Sequence, residues 1–128
     1  MNVLIVESEP ELGRLWQRHL ERQGAHVKLA LGQDEAIAAI LSETFDIMVL
    51  DVVLDQGSSF AISDFASFRC PGLKVIFVTS TTFFSDGSIF THSRNACAYI
   101  RSATPPEDLA AMVEHYADGK VSRPCAAS

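Results

Sequence analysis

The stretch Asp46-Ile47-Met48-Val49-Leu50-Asp51 constrains this chain more than any other: four consecutive apolar residues that close on a carboxylate. A strand apolar at every position has no face for water, so it belongs inside a sheet covered on both sides. Residues 3–6 and 73–78 read as buried strands of the same kind, and residues 26–30 and 98–101 as shorter ones.

Helical spacing fills the gaps between these runs. Residues 9–22 place Leu12, Leu15, Trp16, His19 and Leu20 at intervals suited to one helix face, and Gly24 stops that helix as a left-handed residue does. Residues 34–41 set Ile37, Ile40 and Leu41 on one face. A looser helix over 60–68 ends at Pro71-Gly72. Residues 106–116 turn Leu109, Met112, Val113 and Tyr116 inward, with Pro106 suited to the first turn. The stretch 81–94 is a poor helix, with Ser85-Asp86-Gly87-Ser88 at its centre. Strand and helix alternating from end to end predict an α/β fold, a doubly wound parallel sheet with right-handed crossovers.

Composition narrows the class. A chain of 128 residues, 48% hydrophobic and 20% charged, is long enough for one core and too apolar for disorder. Residues 1–118 read as one domain and 119–128 as a flexible tail. A net charge of −6 argues against a general binder of nucleic acid or membrane surfaces. The N-terminus opens straight into a short apolar run without a basic leader, and no stretch approaches the ~20 apolar residues that cross a bilayer. A cytoplasmic protein is expected. Cys70, Cys97 and Cys125 are odd in number and lack a C-x-x-C pairing, which predicts reduced thiols. His19, His26, His92 and His115 share no metal-ligand spacing.

In an open parallel sheet the site lies beyond the carboxyl ends of the strands. That rule selects Glu7-Ser8-Glu9, Asp51, Thr79-Ser80 and Arg101-Ser102. Acids after the first strand and a carboxylate ending the third suit a hard cation such as Mg2+. A hydroxyl ending the fourth suits an oxyanion. Neither a G-x-G-x-x-G nor a G-x-x-x-x-G-K-[ST] loop is present, which excludes the usual dinucleotide and P-loop sites.

Read in order, these segments resemble the receiver domains of two-component response regulators. Val6-Glu7-Ser8-Glu9-Pro10 is similar to that family's V-[DE]-D-[DE]-P, and residues 24–30 to its G-x-x-V-x-x-A strand. Asp46 to Asp51 matches D-[ILV]-[ILV]-[ILV]-x-D, with Leu54, Gly57 and Ser58 resembling the loop after it. Residues 75–80 are similar to P-V-I-x-[LV]-[ST]-[AS], and Tyr99 through Leu109 to Y-[LI]-x-K-P-x-x-P-E-[ED]-L. The resemblance spans residues 2 to about 116.

It implies a flavodoxin-like (βα)5 domain with strand order 2-1-3-4-5. Asp51 becomes the phosphoacceptor, Thr79 the hydroxyl that closes on the phosphoryl group, and Tyr99 the aromatic switch. Glu7, Asp51 and the Val53 carbonyl become the Mg2+ ligands. A sensor histidine kinase or phosphotransfer protein would supply the phosphate, and a downstream protein would dock on the face around residues 81–116, where Phe83, Phe84 and Phe90 fall. The chain itself is then no enzyme, and neither nucleic acid nor membrane is a direct partner. The oligomeric state stays open, a homodimer included.

Departures from the pattern are as informative. Ser8 stands where the second acid of the pair belongs, and Ser102 and Ala103 replace the lysine and proline of the fifth strand's loop. Asp55 and Ser59 replace a proline and a glycine after the acceptor. Arg101, next to Ser102, is an alternative phosphate ligand, and Asp55 an alternative acid. These losses predict a weak cation site. They leave two further readings open: a pseudo-receiver that acts through protein contacts without phosphorylation, and an unrelated small-ligand binder on the same fold.

Overall fold

The computed structural model describes residues 1–52, 57–70, 72–79, 96–101 and 104–117; for 79, 96–99, 101 and 117 it describes the backbone alone. The strands are β1 (Asn2–Val6), β2 (His26–Ala30), β3 (Ile47–Asp51), β4 (Lys74–Thr79) and β5 (Ala96–Arg101). The helices among the described residues are α1 (Pro10–Arg22), α2 (Gln33–Ser42), α3 (Ser59–Arg69) and α4 (Pro106–Ala117). All strand pairings are parallel, and the sheet runs β2-β1-β3-β4-β5. The expected order and the doubly wound layout are therefore both present.

Why the central strands are apolar throughout is visible in the two cores. Leu4, Val6, Met48, Leu50, Val75 and Phe77 face α2 and α3. Their alternate neighbours Val3, Ile5, Ile47, Val49, Ile76 and Val78 face α1 and α4. Each strand thus feeds both layers, and every one of these side chains is fully buried, contributing about 1.5–3 kcal/mol apiece for the larger ones. β2 is the contrast. As an edge strand it leaves His26 and Lys28 exposed, with Val27 and Leu29 only partly covered.

Helix ends follow the sequence signals. Pro10 opens α1 and Pro106 opens α4, where a missing N–H costs nothing. Gly24 has φ +90°, and its N–H donates to the Glu21 carbonyl as the chain leaves α1. α3 begins one residue earlier than the periodicity suggests, because Ser58 Oγ accepts the Ala61 N–H at 3.3 Å and caps it. α2 corrects an expectation. Its buried face is Ala36, Ala39 and Ile40, while Leu41 is 52% exposed. Small alanines let the helix lie close to the sheet, which turns Leu41 outward.

The edge of the sheet where the strands begin is tied by polar contacts. Asn2 N–H donates to Asp46 Oδ2 at 2.8 Å, and Lys74 Nζ donates to the Tyr116 carbonyl at 2.7 Å. Cys70, buried where α3 ends, is disulfide-bonded, so the expectation of a reduced thiol fails there. Residues 81–94, with Phe83, Phe84 and Phe90, and the tail 119–128 lie outside the described residues. Among the described residues no helix is long and apolar enough to cross a membrane.

Candidate functional site

At the opposite edge, where the parallel strands end, the two central strands each deliver a carboxylate. Val6 of β1 pairs with Leu50 of β3, so the next residues, Glu7 and Asp51, leave the sheet side by side. The two-residue period puts both on the α1 and α4 side. The backbone there is fixed: Glu7 N–H donates to the Ala30 carbonyl at 3.0 Å, and Val52 N–H to the Val78 carbonyl at 2.8 Å.

Glu7 is only 2% exposed, an unusual place for an acid. Its Oε2 accepts the Glu9 N–H at 3.1 Å. Its buried Oε1 receives a hydrogen bond from no donor among the described residues. Burial pushes the Glu7 carboxyl from 4.5 up to about 8; the hydrogen bond to Asp51 and the charges of Asp51 and Glu9 push the same way, and the Glu9 N–H opposes them. At neutral pH Glu7 therefore retains a proton that the half-buried Asp51 carboxylate can accept as a hydrogen bond.

A buried carboxyl group beside a second carboxylate is the kind of ligand pair a hard cation takes once the proton between them is lost, so these residues fit Mg2+. Among the described residues no three His, Cys, Asp or Glu gather at one point. Ser8 supplies a hydroxyl between Glu7 and Glu9 and no charge. Glu9, at the position that caps α1, makes no side-chain cap and is exposed.

The other expected site residues divide by what is described. Thr79 ends β4 one step past Val78, the partner of Asp51, and lies across from Arg101. Tyr99 pairs with Phe77 in the strand register. Val53, Asp55, Ser102 and Ala103 fall outside the described residues.

Two residues take roles that no motif or spacing signals. Ser59 is 2% exposed, and its Oγ donates to the Val52 carbonyl at 2.7 Å. Gln33, at the start of α2, accepts the Ser58 N–H on its Oε1 at 2.8 Å. A glutamine in a helix's first turn carries no signal of a contact twenty-five residues away.

No family model matches the chain, and no curated protein sequence does. Solved structures do. A CheY-like response regulator receiver domain protein from Methanospirillum hungatei is 25% identical, with a TM-score of 0.81 over 91% of this chain and 93% of that one. The receiver domain of DrrB, activated with beryllofluoride, is 24% identical, with a TM-score of 0.81 over 92% and 97% of the two chains. The response regulator TrrA from Thermotoga maritima, solved with Mg2+ and beryllofluoride, is 18% identical, with a TM-score of 0.76 over 88% and 96%. The chain shares the fold of these receiver domains.

Proposed function

We propose that this receiver-type domain accepts a phosphoryl group on Asp51 and signals through protein contacts. The observation that carries the reading is the pairing of Glu7 with Asp51 at the carboxyl edge of the sheet, on a fold shared with receiver domains. In the step envisaged, an Asp51 carboxylate oxygen attacks phosphorus while the bond to the donor's nitrogen breaks, and the donor imidazole leaves neutral. Glu7 and Asp51, with the Val53 carbonyl, would hold Mg2+, which when bound screens the incoming phosphoryl oxygens. Glu7 must then release its proton. Thr79, the last residue of β4, would offer its hydroxyl to the phosphoryl group, and Tyr99 would report the change on β5.

We further assign the donor as a sensor histidine kinase or a phosphotransfer protein and the output as a protein docking around residues 81–116. The domain is the recipient of the transfer and is given no catalytic activity of its own. A second reading rests on one feature. The acidic pair lacks a third carboxylate, with Ser8 in that position, which favours a pseudo-receiver that works without phosphorylation. Incubation with a small phosphodonor and Mg2+, followed by intact mass, separates them: one phosphoryl group on the wild-type chain and none on Asp51→Asn supports the first reading, and no addition at any pH supports the second.

A further inference from the structure

We propose that Gln33 and Ser59 are positioning residues of the Asp51 site, stapling both ends of the loop that leaves β3. The inference rests on the reading of Asp51 as the acceptor. It begins from two hydrogen bonds that neither helix capping nor sheet pairing requires.

The first closes the loop on itself. Ser59 Oγ, inside the protein, donates to the Val52 carbonyl at 2.7 Å. Val52 directly follows Asp51, and its N–H is already committed to the Val78 carbonyl. Both backbone polar groups of Val52 are thereby held, one by β4 and one by the first residue of α3. A buried hydroxyl bonded in this way fixes a backbone direction, because leaving the carbonyl unpaired is unfavourable.

The second ties the loop to a different crossover. Gln33 Oε1 accepts the Ser58 N–H at 2.8 Å, joining the first turn of α2 to the residue that caps α3. Gly57 passes so close to Gln33 that a Cβ added there would collide with its side chain, and Gly57 has φ +88°. The chain thus leaves β3 at one pinned point and returns at another. Val53, the residue proposed to turn its carbonyl toward the cation, follows the first pin immediately.

Neither residue is shown touching Asp51, so their effect on the acceptor is indirect. Outer-shell hydrogen bonds of this kind change metal affinity or activity by about 10-fold or more when removed. The staple gives a site with few charged ligands fixed backbone at Val52 and at Ser58, on either side of residues 53–56, before any cation arrives.

The test compares Ser59→Ala and Gln33→Met, which remove the bonds, with Ser59→Thr and Gln33→Glu, which keep a hydroxyl and an acceptor. Each change is made both in the wild-type chain and in Ser8→Asp, where an acid is restored. Phosphoryl incorporation from acetyl phosphate is followed across a range of Mg2+ concentrations, with the urea midpoint as the folding control. Folded Ser59→Ala and Gln33→Met should need about 10-fold more Mg2+ for half-maximal rate, and the conservative variants should recover most of the difference. A shift in the urea midpoint alone, with the Mg2+ requirement unchanged, overturns the staple. So does equal reactivity of all the variants. If Ser59→Ala does not fold, Gln33→Met at the surface decides. A wild-type chain that does not react while Ser8→Asp does counts against phosphorylation of the native protein, and the staple is then judged in Ser8→Asp. If neither background reacts, both proposals fail.

Discussion

Glu7 and Asp51 occupy successive ends of adjacent parallel strands, and their carboxyl groups share one hydrogen bond in a setting that raises Glu7 to about 8. The pair is acidic in composition and yet holds a proton at neutral pH. Any cation must compete with that proton, which links metal binding, stability and pH at one point in the fold.

The sign of the stability effect follows from the direction of the shift. Glu7 binds its proton more tightly when folded than unfolded, so its contribution is fully present below pH 4.5 and is lost as pH rises through about 8. Urea midpoints without Mg2+ should therefore fall between about pH 5 and pH 8.5. Glu7→Gln, which keeps the shape and removes the titration, should flatten that slope. An equal slope in the mutant would place the titrating group elsewhere.

Mg2+ binding should show the mirror image. Because the ion displaces the proton, its affinity should rise with pH up to about 8. The lack of a third carboxylate should keep it weak, and Ser8→Asp should tighten it by about 10-fold or more. Calorimetry at several pH values checks both statements. Tight binding by the wild-type chain would mean that another acid, such as Asp55, completes the shell.

Much of this was legible in the sequence, for identifiable reasons. The run Ile47 to Leu50 had to be buried on both faces, and one such strand largely dictates a parallel sheet between helix layers. The carboxyl-edge rule then reached Glu7 and Asp51. What stayed hidden depended on contacts between distant segments. The Gln33 bond to Ser58 leaves no periodic trace, and Ser59 stands at a family glycine position with no local signal that its hydroxyl reaches the Val52 carbonyl. Leu41 departs from its expected inward position because the spacing of Ile37, Ile40 and Leu41 carries no sign that Ala36 and Ala39 are the buried face. The disulfide at Cys70 was likewise unreadable from three unpaired spacings.

Two glycines in left-handed backbone should respond differently to alanine. Gly24 has φ +90° with nothing near an added Cβ, so Gly24→Ala should cost only the backbone term, about 1–2 kcal/mol. Gly57 has φ +88° and Gln33 in the way. Gly57→Ala should cost more, and Gln33→Gly in the same chain, which removes the Cβ that stands in the way, should recover part of it. Equal costs in urea unfolding would contradict the close approach.

An exposed leucine on α2 and a buried phenylalanine on β4 make a plain contrast. Phe77, fully buried on β4, should lose about 3–5 kcal/mol as Phe77→Ala. Leu41, half in water, should tolerate Leu41→Ser within about 0.5 kcal/mol. A severe loss at Leu41 would restore the inward face that its spacing suggested.

The most direct test asks whether two missing charges account for a weakened acceptor. Intact mass after exposure to a phosphodonor with Mg2+ should be measured for the wild type, Ser8→Asp, Ser102→Lys and the double variant, each also with Asp51→Asn. Slow, low-yield addition of one phosphoryl group to the wild type is expected, with a large gain in the double variant. That gain should differ from the product of the single effects, because both charges serve one transition state, and Asp51→Asn should abolish addition in every background. A folded double variant no more reactive than the wild type, or addition that survives Asp51→Asn, would contradict it.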